Sequence, residues 1–206
     1  MAKDTARVEA FSDGVFAIAI TLLILDVKVP VMSVPEEAAT NHWLLGRLAE
    51  PEAFAAYAAY LMSFLTILVM WVNHHRILSL VEKVDHRFLF WNGLLLMLIS
   101  IVPFPTSLLA RYFLTPSANI GAAVYAGHGF LIALGFQGVW QHAIRDRRLL
   151  APGTDAEVAK LSAQYRYGPL MYLMTFALAF VSAWASAGLC LLFVVFFSLQ
   201  GFTQKG

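Results

Sequence analysis

Long apolar runs alternate with short polar breaks along the 206-residue chain. A bilayer-crossing helix needs roughly 20 mostly apolar residues. Six segments meet that length, at about 7–27, 53–78, 88–110, 120–142, 167–184 and 186–203. The last apolar block, from Gly168 to Phe202, is too long for one span and just long enough for two, so the break is placed in the small residues of SAWASAG, Ser182 to Gly188. The second span is expected to continue as a helix through NHHRILSLVEKV. Between the first two spans, HWLLGRL reads as a short interfacial helix with Trp43 as its anchor. After the fourth, Thr154 and Glu157 read as a capping box opening a further helix. The pattern predicts an all-α integral membrane protein with six transmembrane helices and no separate soluble domain.

Composition agrees. Hydrophobic residues make up 60% of the chain and charged ones 13%, with a mean hydropathy of +0.70, whereas soluble domains carry about 25% charged residues. A net charge of +1 without a basic tract excludes nucleic acid as a partner. The one cysteine, Cys190, excludes an intrachain disulfide and reads as space-filling. No cleavable signal is expected: the first apolar run lacks a small-residue cleavage site. With the N-terminus in the cytoplasm, all but three of the 14 lysines and arginines fall inside; Lys28, Arg47 and Arg111 fall outside. That bias places both termini in the cytoplasm. It fixes the orientation more firmly than the last turn, since a five-span chain would move the C-terminus outside at the cost of a single charge.

The first span is two-sided. At 100° per residue, Arg7, Phe11, Ile18, Leu22, Leu25 and Val29 share one stripe, with Gly14 and Thr21 on its flank. Ser12 and Asp13 point away from it. An acid inside a span is costly and needs partners in the bundle. Asp4 or Thr5 is better placed than Asp13 to cap this helix. Asp13 and Arg7 lie too far apart to pair along it. Trp71, Asn73, His74, His75 and Arg76, at the cytoplasmic end of the second span, stand at the same depth and offer the donors a buried carboxylate wants.

These residues resemble a known family. Arg7-x-x-x-Phe11-Ser12-Asp13 followed by GVFAIAITLLIL, with WVNHHRIL in the second span and PFPTSLL in the third, is similar to the signature of the transmembrane protein 175 family in its bacterial single-repeat form. The resemblance covers the whole chain and implies a potassium-permeable channel in the bacterial inner membrane, assembled as a homotetramer, with the first helix of each subunit lining a central pore. It implies no carbonyl filter, and the sequence has no TVGYG-like stretch. On the family's motif, Ile18, Leu22 and Leu25 form the constriction, and Thr21 matches a hydroxyl position implicated in potassium preference. Arg7, Phe11, Ser12 and Asp13 match a polar network that includes Trp71, Asn73 and His74. No cofactor is implied, nor any metal beyond permeating potassium. The partners are further copies of the chain, membrane lipid and monovalent cations.

A narrow apolar ring gates by dewetting. Potassium, more weakly hydrated than sodium, passes such a ring at lower cost. Asp26, Glu36, Glu37, Glu50 and Glu52 are candidates for an acidic outer vestibule, or simply a solvated surface. Two other readings remain open at this level. One is a proton-coupled cation transporter using Asp13, His74 and His75. The other is an intramembrane metalloenzyme drawing on His74, His75, Glu82, Asp85 and His86, although His75, Glu82 and His86 form a line rather than a cluster on a continued helix.

Overall fold

The computed structural model describes residues 2–31, 35 and 40–202, and these are helical almost throughout. Helix α1, Ala2–Leu22, tightens into a 3-10 turn at Leu23–Asp26. It begins before Asp4 and Thr5, so neither caps it, and Val29 lies beyond its end. Helix α2, Asn41–Leu48, is capped by Thr40, whose hydroxyl accepts from the Trp43 amide at 3.3 Å. Helix α3, Pro51–Leu80, starts on a proline whose missing N–H costs nothing at that position. It stops four residues short of the expected extension. Leu80 and Glu82 instead pair with the loop after the fourth span: Ala151 N–H donates to the Leu80 carbonyl and Glu82 N–H to the Leu149 carbonyl, both at 2.9 Å. No glycine or proline marks that stop in the sequence, because the partner strand lies some seventy residues away.

The third expected span is two helices, α4 His86–Ile101 and α5 Pro103–Tyr112. Pro103 lacks the N–H that would continue the ladder, so the helix is interrupted at Val102, whose backbone stays helical. Asp85 caps α4, accepting from the Phe88 amide at 2.8 Å, and also binds His142 and Arg148, each at 2.8 Å. One carboxylate thus ties the start of α4 to the end of α6, Ala118–Ile144. Helix α6 is the centre of the bundle, packing on α4, α5 and the two C-terminal helices. Its glycines let rings lie on bare backbone: a Cβ at Gly138 would stand 2.5 Å from the Trp91 ring.

Helix α7, Asp155–Tyr165, lacks the expected capping box. Thr154 donates back to the Ala151 carbonyl at 2.8 Å instead of accepting from α7. Helices α8, Gly168–Ala179, and α9, Ala183–Phe202, divide the last apolar block a few residues earlier than SAWASAG suggests. Asn119 on α6 fixes that turn, accepting from Ala183 N–H at 3.0 Å and donating to the Phe180 carbonyl at 3.4 Å. The 12-residue α8 spans only about 18 Å at 1.5 Å per residue, so the expected span at 167–184 is a short helix and a turn. Thr5–Leu25, Pro51–Leu80, His86–Tyr112 and Ala118–Ile144 are long and apolar enough to cross a membrane by length and composition; Ala183–Ser198 is a shorter apolar helix.

Candidate functional site

Helix α1 packs against α3 and α4, and only one of its sides is covered. Ser12, Phe16, Ala19 and Leu23 are at most 1% exposed, whereas Phe11, Ile18 and Leu25 are 67%, 60% and 72% exposed. Arg7, Thr21 and Leu22 share the open side. Spacings of four and three residues carry both stripes, so neighbours such as Ile18 and Ala19 face opposite environments. Leu25 keeps its exposure although it lies in the 3-10 turn.

Hydrogen bonds hold the covered side. Ser12 Oγ donates to the Val8 carbonyl at 2.7 Å and accepts from Asn92 Nδ2 of α4 at 3.1 Å. Asn92 Oδ1 meets His74 Nε2 of α3 at 2.7 Å. Since an amide oxygen only accepts, His74 Nε2 carries the proton in this arrangement. The His74 ring also lies against Phe16, with centroids 5.3 Å apart. Flanking this group along both helices, the Trp71 indole N–H donates to Asp13 Oδ1 at 2.8 Å, and His75 Nδ1 lies 3.0 Å from Glu9 Oε1. Glu9 and Asp13 are one turn apart, as are Trp71 and His75, so the two contacts form an antiparallel ladder between α1 and α3.

The implied network is therefore redistributed. Ser12, Asp13, Trp71 and His74 contact α1 or its partners, in two separate groups. Asn73 is a neighbour of His74, turned about 100° around α3. It faces instead a small cavity shared with α6 and α8, and its carbonyl accepts from the Tyr165 hydroxyl at 3.2 Å. Arg7 and Phe11 lie on the exposed side, and Arg7 makes no ion pair among the described residues. Asn92 and Glu9 are the residues the sequence reading missed. A lone amide in the apolar run FLFWNGLLL was the available signal for Asn92.

Asp13 and His74 bind different partners, so no hydrogen-bonded chain links Asp13, His74 and His75. The line of His75, Glu82 and His86 dissolves because α3 ends at Leu80. Among the described residues, no three His, Cys, Asp or Glu side chains gather as metal ligands. Of the vestibule candidates, Glu50 is paired with Arg47 at 2.6 Å, and both line, with Glu52, a cavity at the start of α3. Glu36, Glu37 and the Asp26 side chain fall outside the described residues.

Thr21 donates its hydroxyl to the Ile18 carbonyl at 2.9 Å. Its oxygen lone pairs, not its hydrogen, are what it presents on the open side.

Comparisons with known proteins meet this geometry. The family model of the endosomal/lysosomal potassium channel TMEM175 matches residues 7–103, from the Arg7 motif through α3 and α4. A potassium channel of Chamaesiphon minutus is 51% identical over 199 residues, 96% of this chain and 95% of that one. A potassium channel of Streptomyces collinus is 45% identical over 186 residues, 88% of this chain and 85% of that one. The crystal structure of a lysosomal potassium-selective channel TMEM175 homolog from Chamaesiphon minutus superimposes with a TM-score of 0.83 at 49% identity, over 97% of this chain and 98% of that one. The likeness runs through nearly the full length of these chains, and the protein belongs to the TMEM175 family of potassium channels.

Proposed function

We propose that the chain conducts potassium passively across a bacterial inner membrane, through a central pore lined by α1 of four copies. The observation that carries this reading is the two-sidedness of α1. One stripe is sealed by the α3 and α4 contacts, while large aliphatic residues stand open on the other. A membrane helix whose own bundle leaves Ile18, Leu22 and Leu25 uncovered presents them to lipid or to further copies. Four copies around an axis would stack them as successive apolar rings, whose dewetting closes the path and whose dehydration cost favours potassium over sodium. Thr21, one residue before Leu22, would turn its lone pairs toward the ion or its waters. The Ser12–Asn92–His74 and Asp13–Trp71 contacts then hold the lining helix to its own subunit.

The distribution of basic residues supports a cytoplasmic position for both termini, with six crossings, α8 and α9 forming the last two. In this arrangement the Ser12 network lies at the cytoplasmic half and Lys28 at the outer end.

The test is flux from potassium-loaded liposomes and bilayer recording of Ile18→Asn, Leu22→Asn and Leu25→Asn, with the oligomeric mass measured in nanodiscs. The proposal expects altered conductance or ion preference in at least one variant, in an assembly of four. Three variants that conduct like the parent, or a folded monomer that conducts, would overturn it.

A further inference from the structure

A cavity of about 440 Å³ opens at the end of the bundle farthest from the Ser12 network, between the segment after α1, helix α2, the start of α3 and the end of α5. Three basic side chains from three separate segments converge on it: Lys28, Arg47 and Arg111. They are the only lysines and arginines between the end of α1 and the start of α3 or at the end of α5. Two carboxylates share the space, Glu50 and Glu52, and Glu50 is taken by Arg47. Lys28 and Arg111 form no ion pair among the described residues. Arg47 Nε is buried without a hydrogen-bond partner. The hydroxyl-bearing Tyr57 and Ser107 complete the polar lining, while Val29, Pro30 and Val31 make one wall apolar.

We propose that this cavity binds a phosphate oxyanion. Among the described residues, three cations against two carboxylates leave a net positive lining, which disfavours a cation as ligand. Donors spread over three segments, with a guanidinium fork among them, suit a tetrahedral group with several oxygens better than a two-oxygen carboxylate. The apolar wall beside the charges suits a lipid phosphate at the hydrocarbon boundary, and free phosphate shares the same chemistry. Lys28 lies just beyond the turn that ends α1, so a bound oxyanion would tie that end of α1 to α5. Binding here does not depend on the pore proposal, and the readout below is binding, not flux.

The experiment is native mass spectrometry of the full-length protein in detergent, titrated with phosphatidylglycerol, with phosphatidylcholine, or with phosphatidylglycerol in competition with inorganic phosphate. The Lys28→Gln/Arg111→Gln double variant should retain phosphatidylglycerol at least about tenfold more weakly, the loss of roughly one charged contact's worth of binding. The charge-preserving Lys28→Arg/Arg111→Lys variant should retain it, and matching melting curves for both variants separate lost binding from lost folding. Displacement by inorganic phosphate would identify free phosphate as a ligand. Phosphatidylglycerol held against phosphate, and preferred to phosphatidylcholine, would identify the lipid headgroup. Equal retention by the parent and the glutamine variant would overturn the site, as would failure of both phosphatidylglycerol and inorganic phosphate to bind the parent.

Discussion

The two sides of α1 are built from almost the same residue types and are held in opposite ways. Phe11 and Phe16 are one and a half turns apart; the first stands open and the second is enclosed against His74. Ile18 is open and Ala19 is sealed; Leu22 is open and Leu23 is sealed. Apolarity does not separate them, because a bilayer and a protein core both accept a leucine. The polar residues make the distinction. Ser12 lies at the centre of the covered stripe, where it accepts one bond from Asn92, and everything a half-turn away is left uncovered. In a membrane helix, a few hydrogen bonds can therefore decide which apolar face is left free for another task.

The largest test of that contrast is truncation on each side. Phe16→Ala should cost about 3–5 kcal/mol of stability, as for other enclosed aromatics. Ile18→Ala should cost the folded subunit under about 1 kcal/mol, as for residues that pack on little. Thermal unfolding in detergent checks both, and equal losses would erase the distinction between the sides. Next, Asn92→Leu leaves His74 Nε2 without its partner and removes the donor to Ser12 Oγ, which keeps only its bond to the Val8 carbonyl. The expected loss is about 1–2 kcal/mol, since a buried orphaned group costs about 1–3 and interhelical bonds in membranes often count for about 0.6. A neutral result would remove the hydrogen bonds as the cause of the helix's rotation. Smaller still, Trp71→Phe keeps a ring and removes the N–H that Asp13 accepts. A double-mutant cycle with Asp13→Asn should return a coupling of about 1 kcal/mol, and additive effects would show the contact to be idle.

The smallest effect concerns pH where the start of α4 meets the end of α6. Burial alone would raise the Asp85 carboxyl, but the Phe88 amide, His142 and Arg148 outweigh it and hold it below the usual carboxylate range. Its folded-state value is thus lower than its unfolded one. The stabilisation is present above the ordinary carboxylate range and is lost as the pH falls through Asp85's own value. Asp85→Asn should flatten that acid-side decline in melting temperature, and an unchanged slope would assign the decline to other groups.

Much of this arrangement is readable in the residues, and the gaps have physical causes. The stripe on α1 follows from a 3.6-residue period that survives until the 3-10 turn, so Ile18 and Leu22 are placed by spacing alone. The helix at α2 and the division of the last apolar block are likewise legible in composition. Asn92 was missed because its importance depends on what α1 and α3 bring to it across the bundle, which no local pattern records. The end of α3 was misplaced for the same reason: its stop is a backbone pairing with Leu149 and Ala151. Thr154 carried a valid capping signature, yet its hydroxyl found the nearer Ala151 carbonyl. Local signals failed where a distant or competing hydrogen bond offered the better partner.

The turn between α8 and α9 carries a consequence for how the chain is made. It contains no glycine or proline of its own between Phe180 and Ser182, and two of its backbone groups, the Phe180 carbonyl and the Ala183 N–H, are answered by one side chain, Asn119, at the start of α6. Synthesis runs from the N-terminus, so that amide is already in place when the last apolar block emerges from the ribosome. Helix α6, made earlier, is thus the surface against which the C-terminal pair packs. A single asparagine some sixty residues upstream thus closes the turn between the last two helices.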